Sequence, residues 1–235
     1  MRFERDFVEC GKYILTDVFN ITPQRSLSET LFEIDNKISQ IKKSKEIKLV
    51  IDKTYKAGWI QGSKYLSADE IDFIKQKSYE NFFGVGLEVI AHDVRSQLFD
   101  ELQDAYNTNS SKNIIKKIID NQLKKNEYRV VRMGRTAAND VFNLATLDRY
   151  KKHEIEYVRY KAKLDSKTTE ICSTLHGTIW KTGDPEIKTP PSHFYCRSRL
   201  VPWTGRPPEG EREFTKNQEQ VLKDRDKFRT KYWNI

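Results

Sequence analysis

The sequence predicts an α+β fold that is predominantly α, with a helical N-terminal body, a small strand-and-loop knuckle module and a charged C-terminal helix. Apolar residues recur at helical spacing as far as Tyr150. From Glu154 to Leu164 the period changes to strict alternation, which is typical of a strand. We therefore predict a helical region over 1–127, the knuckle module over 128–205 and a charged, helical tail over 206–235.

Several helices are predicted in the N-terminal region. The first carries Phe3, Phe7, Cys10, Ile14 and Phe19, and the second, capped by Ser28, carries Leu31, Ile34, Ile38 and Ile41. Ser67–Glu70 reads as a capping box, in which serine and glutamate each bond a backbone N–H of the first turn. We expect the helix that follows to bend near Gly84 and Gly86, and Cys10 to be a small buried apolar residue.

Two further helices are predicted after the turn at Asn107–Ser111. One bears Ile114, Ile115, Ile118, Ile119 and Leu123, and the other runs from about Tyr128 to Tyr150 with Val130, Met133, Ala137, Val141, Leu144 and Ala145 inward. Thr178–Trp180 and Arg199–Val201 are candidate short strands on either side of a loop rich in proline and glycine.

The charge balance favours polyanionic partners. The chain of 235 residues has a formal charge of +8 and a sequence pI of about 9.2, and a positive field attracts nucleic-acid phosphates. Candidate phosphate contacts on the last predicted helix are Arg129, Arg132, Arg135 and Arg149. The alternative is a soluble lysine-rich protein that binds no anion, because the cations are spread along the chain.

Other sequence features indicate the cellular environment in which the protein is expected. No stretch has the run of about 20 apolar residues that crosses a bilayer, so no membrane association is expected. The N-terminus mixes acidic residues with apolar ones and does not resemble a signal peptide. With three cysteines and no secretion signal, a reducing compartment is expected.

Cys172, His193 and Cys196 are candidate zinc ligands. Thiolate and imidazole are suitable donors, and the H-x-x-C spacing of the last two lets both side chains reach one ion. A closed structural site needs a fourth ligand, for which His176 and Asp165 are the candidates. The alternative is a metal-free segment in which the thiols pack as small apolar groups and His193 hydrogen-bonds the loop.

A catalytic interpretation is also open. Cys172, His193 and Asp165 can supply the nucleophile, the base and the orienting group of a thiol enzyme. That chemistry requires an electropositive, partly exposed cysteine, and no oxyanion loop is recognisable around Cys172. A phosphate-binding glycine loop is also lacking, which argues against a nucleotide-driven motor.

The segment from Asp165 to Pro202, called here the knuckle, reads DSKTTEICSTLHGTIW, then PPSHFYCRS after a loop, and ends in LVP. This pattern resembles the phage head-morphogenesis family of Mu F-like minor head proteins. The matching positions are Asp165, Thr168, Cys172, Gly177, His193, Cys196 and Arg197. Upstream, Arg135–Asn139 is similar to the family's Arg-Thr-Glu-x-x-x-Asn-like stretch, with Ala137 in place of the acidic residue. Where many members have further cysteines, this chain has Thr169 and Ser198, which weakens the case for a metal.

The resemblance implies a non-enzymatic assembly role. Family members are minor proteins of the capsid interior, so the implied partners are the portal protein, double-stranded DNA through non-specific phosphate contacts, and capsid or scaffold proteins. The implied location is the virion head, reached from the host cytoplasm during assembly. The alternatives are a thiol- or metal-dependent hydrolase or nuclease that accompanies the phage genome, and a toxin or effector that uses the same domain.

Overall fold

The structure is a computed structural model that describes residues 2–60, 82–206 and 214–233. Its helices are α1 (Arg2–Phe19), α2 (Leu27–Ile38), a 3-10 turn (Ile41–Lys43), α3 (Lys45–Ile60), α4 (Phe82–Asn107), α5 (Lys112–Lys152), α6 (Glu170–Leu175) and α7 (Lys216–Trp233). The strands are β1 (Tyr157–Lys161), β2 (Ile179–Lys181) and β3 (Arg199–Trp203). The predicted fold class is confirmed. The capping box predicted at Ser67–Glu70 lies outside the described residues.

The chain divides into two compact units. The first comprises residues 1–50 and 79–135, and the second comprises residues 51–78 and 136–235. The helices α3 and α5 therefore contribute residues to both units. Within the described part of the chain, no helix combines the length and the apolar character that a bilayer span requires.

The first unit is a packed set of helices. Its fully buried side chains include Phe7, Ile34 and Leu98, and the rings of Phe7 and Phe83 meet edge to face at 4.9 Å. The cap of α2 is Ser26, whose hydroxyl accepts the N–H of Glu29. The prediction that Ser28 caps this helix was therefore wrong by two residues.

The helix α5 corrects the prediction of two separate helices. It is continuous for 41 residues, because no proline or glycine separates Leu123 from Tyr128. Its polar residue Asn126 is buried, but its side-chain amide donates to the Gln97 side chain at 3.1 Å and to the Gln122 carbonyl at 3.0 Å. Leu144 was predicted to face inward, but it is 36% exposed.

At Gly134 the helix α5 lies close against the backbone of α1. A Cβ at this position would lie 2.9 Å from the Val8 nitrogen, so Gly134→Ala is expected to lower the free energy of unfolding by about 1–3 kcal/mol despite alanine's better helix propensity. Urea denaturation measures the difference. Gly86→Ala is the control, because there the new methyl group meets only the flexible end of Met133. Equal stability of the two variants would contradict the close approach.

The second unit is built around a three-stranded antiparallel sheet with the order β2-β1-β3. Val158 pairs with Trp180 on one side and with Pro202 on the other. The inward side chains Val158 and Tyr160 are fully buried. They belong to a core cluster with Leu147, Tyr150, Ala162, Cys172, Leu175, Cys196 and Leu200. The knuckle cysteines are therefore part of this core.

Candidate functional site

The structure brings Cys172, His193 and Cys196 together. Cys172 lies on α6, and the other two lie on the loop between β2 and β3. The Sγ of Cys172 is 3.1 Å from Nε2 of His193 and 3.6 Å from Sγ of Cys196. The three ligand atoms all lie within 4.8 Å of one another, so the cluster can hold a metal ion.

The first half of the knuckle positions Cys172 by local hydrogen bonds. Thr169 caps α6, and its hydroxyl accepts the N–H of Cys172 at 3.4 Å. After this short helix, Gly177 adopts a φ of +81°, which glycine tolerates without strain. Its N–H then donates to the carbonyl of Tyr160 at 2.9 Å. The chain thus returns to β1 with Cys172 fixed above the sheet core.

The second half of the knuckle is held by polar side chains one turn apart on α5. The Thr136 hydroxyl accepts the N–H of Tyr195 at 3.0 Å, and the Asn139 amide donates to the Cys196 carbonyl at 3.0 Å. Asn143 accepts the N–H of Leu200 at 3.0 Å. The stretch Arg135–Asn139, identified from the resemblance, therefore contributes two of the side chains that fix the backbone around Cys196.

The C-terminal helix α7 also holds this loop, which sequence reasoning missed. Arg225 is buried and donates to the Thr189 carbonyl at 3.0 Å and to the Ser192 hydroxyl at 3.4 Å. Arg229 donates to the Pro191 carbonyl at 3.1 Å, and the rings of Phe228 and Phe194 meet edge to face at 4.9 Å. The signal in the sequence was the helical spacing of Leu222, Arg225, Phe228 and Arg229 within the segment predicted as a charged, helical tail.

The sulfur of Cys172 is surrounded by hydrogen-bond donors. The Ser198 hydroxyl donates to it at 3.2 Å, and the Tyr160 hydroxyl lies 3.5 Å away. The hydrogen bond from Cys196, with smaller contributions from Ser198, Tyr160 and Thr169, lowers the pKa of Cys172 to about 6 although the side chain is buried. The same pairing with Cys172, together with burial, raises the pKa of Cys196. The two thiols therefore titrate as a coupled pair, in which Cys172 ionises before Cys196.

The orientation of His193 is set by the backbone. Its Nδ1 lies 2.6 Å from the carbonyl oxygen of Phe194, so a proton on Nδ1 is donated to that carbonyl. The lone pair of Nε2 is then directed at Cys172 Sγ or at a bound ion. In metal sites, the histidine nitrogen that does not bind the metal is usually held by such a hydrogen bond, which orients the ring.

Asp165 and His176, the candidates for a fourth metal ligand, are hydrogen-bonded to other groups. The Asp165 carboxylate makes a bidentate ion pair with Arg197 at 2.6 and 2.7 Å. The hydrogen bond from Arg197, followed by that from the Lys167 N–H, holds the pKa of Asp165 well below its usual range. His176 Nδ1 accepts the N–H of Ala162 at 3.1 Å. Neither side chain belongs to the metal-ligand group found among the described residues.

The arginines predicted to contact DNA differ in their surroundings. Arg129 pairs with Asp93 and donates to Asn126, and its side chain is only 15% exposed. Arg132 lies over the Tyr128 ring at 5.9 Å, and Arg149 lies over the Tyr150 ring at 5.2 Å. Arg135 is exposed on α5. Their role as phosphate contacts stays a prediction.

Comparison with known families gives one match. Residues 93–201 match the family described as phage Mu protein F like protein. The matched segment contains most of α4, all of α5 and the knuckle up to Val201, and it ends before α7. No curated protein and no solved structure gives a significant match to the chain.

Proposed function

We propose that this chain, which belongs through residues 93–201 to the phage Mu protein F-like family of head-morphogenesis proteins, associates with the portal and non-specifically with packaged DNA. This association would occur inside the head, during assembly or genome ejection, after synthesis in the host cytoplasm. Capsid and scaffold proteins are the further partners that such a position offers.

The main support for the proposal is the family match, which covers a folded part of the chain. Matching knuckle residues have structural roles. The Thr168 hydroxyl accepts the N–H of Asp165 at 2.8 Å and donates to the Lys163 carbonyl at 2.6 Å, Gly177 makes the return to β1, and Asp165 pairs with Arg197. The formal charge of +8 supports the DNA half, because phosphate contacts require exposed cations and no sequence-reading element.

For the metal, we propose a structural zinc ion held by Cys172, His193 and Cys196. Two thiols and an oriented imidazole fit the donor preference of zinc. Beside Cys172 and His193 is a depression of about 10 Å³, lined also by Thr169 and Ser198. That volume suits one water as the fourth ligand. Zinc would then cross-link α6 to the loop before β3.

A thiol hydrolase is the second candidate, favoured by the 3.1 Å contact between Cys172 and His193. Two observations weigh against it. Asp165 is paired with Arg197 instead of orienting the histidine, and Cys172 is only 3% exposed. The depression beside the two side chains is also small, about 10 Å³, compared with the clefts that usually bind substrates. We therefore propose that the protein is not an enzyme.

Two binding experiments test the proposal. In a gel-shift series with random-sequence duplex DNA, the affinity is expected to fall steeply with salt concentration, because each phosphate contact releases counterions. Absence of a complex at low salt, or a complex insensitive to salt, contradicts the DNA half. Co-expression with the portal protein encoded in the same phage genome is expected to give a complex on size exclusion, and separate elution contradicts the portal half.

A further inference from the structure

The sheet of the second unit has one face directed away from its core. Val158 and Tyr160 point inward and are fully buried, so the alternate residues of β1 and their cross-strand partners share the opposite face. This outward face consists of Tyr157, Arg159 and Lys161 on β1, Ile179 and Lys181 on β2, and Arg199, Val201 and Trp203 on β3.

The outward face carries positive charges and no negative ones. It carries four cations, Arg159, Lys161, Lys181 and Arg199, and none of its eight residues is acidic. Lys161, Lys181 and Arg199 are exposed, and Lys161 and Arg199 are directly opposite each other in the register. The nearest carboxylate in sequence is Glu156, which immediately precedes β1 and interacts with Tyr157. A surface of this kind attracts polyanions.

The spacing of these cations suits a regular phosphate backbone. Alternate residues of a strand are about 7 Å apart, and neighbouring strands are about 5 Å apart. Phosphates of one DNA strand rise by about 3.4 Å each along the axis and also wind around it, so successive phosphates are separated through space by a distance comparable with that between the alternate cations Arg159 and Lys161. Charge complementarity and spacing therefore favour a nucleic-acid backbone as the occupant of the outward face.

The tryptophan of this face indicates duplex DNA and not a single strand. The guanidinium of Arg159 lies 4.8 Å above the Trp203 ring, and the ring nitrogen donates to the Arg206 carbonyl at 3.1 Å. Gly205 also lies against the ring. Base stacking, which dominates single-strand binding, requires an open aromatic face. Trp203 is instead used to hold Arg159 in place.

We propose that the outward face is the surface on which this protein holds the phosphate backbone of duplex DNA. The inference rests on the proposed DNA association and assigns it to a site that sequence reasoning did not identify. Among the arginines predicted on α5, Arg129 is paired with Asp93 and only 15% exposed. By contrast, Lys161, Lys181 and Arg199 are all exposed on one face of the sheet.

The test compares two triple variants that lose the same charge. In the first, Lys161, Lys181 and Arg199 become glutamine, and in the control the exposed residues Lys117, Lys216 and Lys223 become glutamine. Affinity for a random-sequence duplex is measured by gel shift across a salt series. Because each lost phosphate contact lowers the slope of log K against log salt by about 0.9, the first variant is expected to lose about 3 from the slope, and the control is expected to lose little.

The outcomes separate this inference from the proposed function. If the wild-type protein binds DNA and the first variant keeps its slope, or if both variants lose slope equally, the outward face is not the site. If the wild-type protein binds no duplex at low salt, the DNA association itself fails. Single-stranded DNA that outcompetes duplex at equal nucleotide concentration overturns the duplex assignment. Should the triple variant fold poorly, Lys181→Gln alone is expected to lower the slope by about 1.

Discussion

Replacing Arg225 by methionine is expected to lower the free energy of unfolding by about 2–5 kcal/mol, because the change removes one member of a buried polar network. The arginine is 4% exposed. Its loss removes the 3.0 Å donor of the Thr189 carbonyl, which keeps only the longer bond from Arg229 at 3.3 Å, and breaks the ion pair with Asp226 at 2.6 Å. Methionine keeps much of the side-chain volume, so the loss measures the polar contacts and not a cavity.

Urea denaturation followed by circular dichroism provides the measurement. Lys223→Met is the matched control, since Lys223 lies on the same helix but is exposed, and it is expected to change stability by about 0.5 kcal/mol or less. Arg225→Lys is expected to recover part of the loss, because lysine keeps the charge but not the planar fork of donors. If Arg225→Met unfolds at the same urea concentration as Lys223→Met, α7 does not hold the loop.

Cys172→Ala is expected to abolish tight metal binding while leaving the fold assembled in the absence of metal. Alanine removes the sulfur that is common to the contacts with His193 and Cys196, and two ligands do not make a structural zinc site. Titration with cobalt(II), a spectroscopic substitute for zinc, measures the effect. The wild-type protein is expected to develop thiolate-to-cobalt charge-transfer absorption, and the variant is expected to show at least about a 100-fold weaker affinity.

Cys10→Ala is the matched control for this titration. Cys10 lies on α1 in the first unit, half-buried, where burial raises the pKa of its thiol to about 12. A thiol that resists ionisation is a poor metal ligand, so this variant is expected to bind cobalt like the wild-type protein. Absence of charge-transfer absorption in the wild-type protein refutes the proposed zinc site and favours the metal-free interpretation of the knuckle.

The parts of the fold predicted correctly were those with a local signal. The alternation after Glu154 predicted β1. The family motif included Cys172, His193 and Cys196, and in the structure the ligand atoms of these residues lie within 4.8 Å of one another. The same motif included Asp165 and Arg197, and these residues form an ion pair with each other. Such features depend on residue type and spacing within one segment, which a sequence shows directly.

The parts missed depend on contacts between distant segments. Nothing near Arg225 in the sequence shows that Thr189 accepts its hydrogen bond, and the segment was predicted only as a charged, helical tail. The sequence prediction divided α5 between Leu123 and Tyr128, where the structure has the polar residue Asn126 bonded to Gln97 of another helix. The basic outward face escaped notice because its cations are adjacent only after β1 and β3 pair.

The outer edge of β3 is protected against pairing with strands of other molecules. An edge strand with open N–H groups recruits strands from other molecules and starts aggregation. In β3 the N–H of Leu200 already donates to the side chain of Asn143, and the next residue of the same parity, Pro202, has no N–H to offer. Amide side chains of Asn139 and Asn143 also occupy the Ser198 carbonyl. Copies of the protein at high local concentration therefore find no donor there with which to extend the sheet from one molecule to the next.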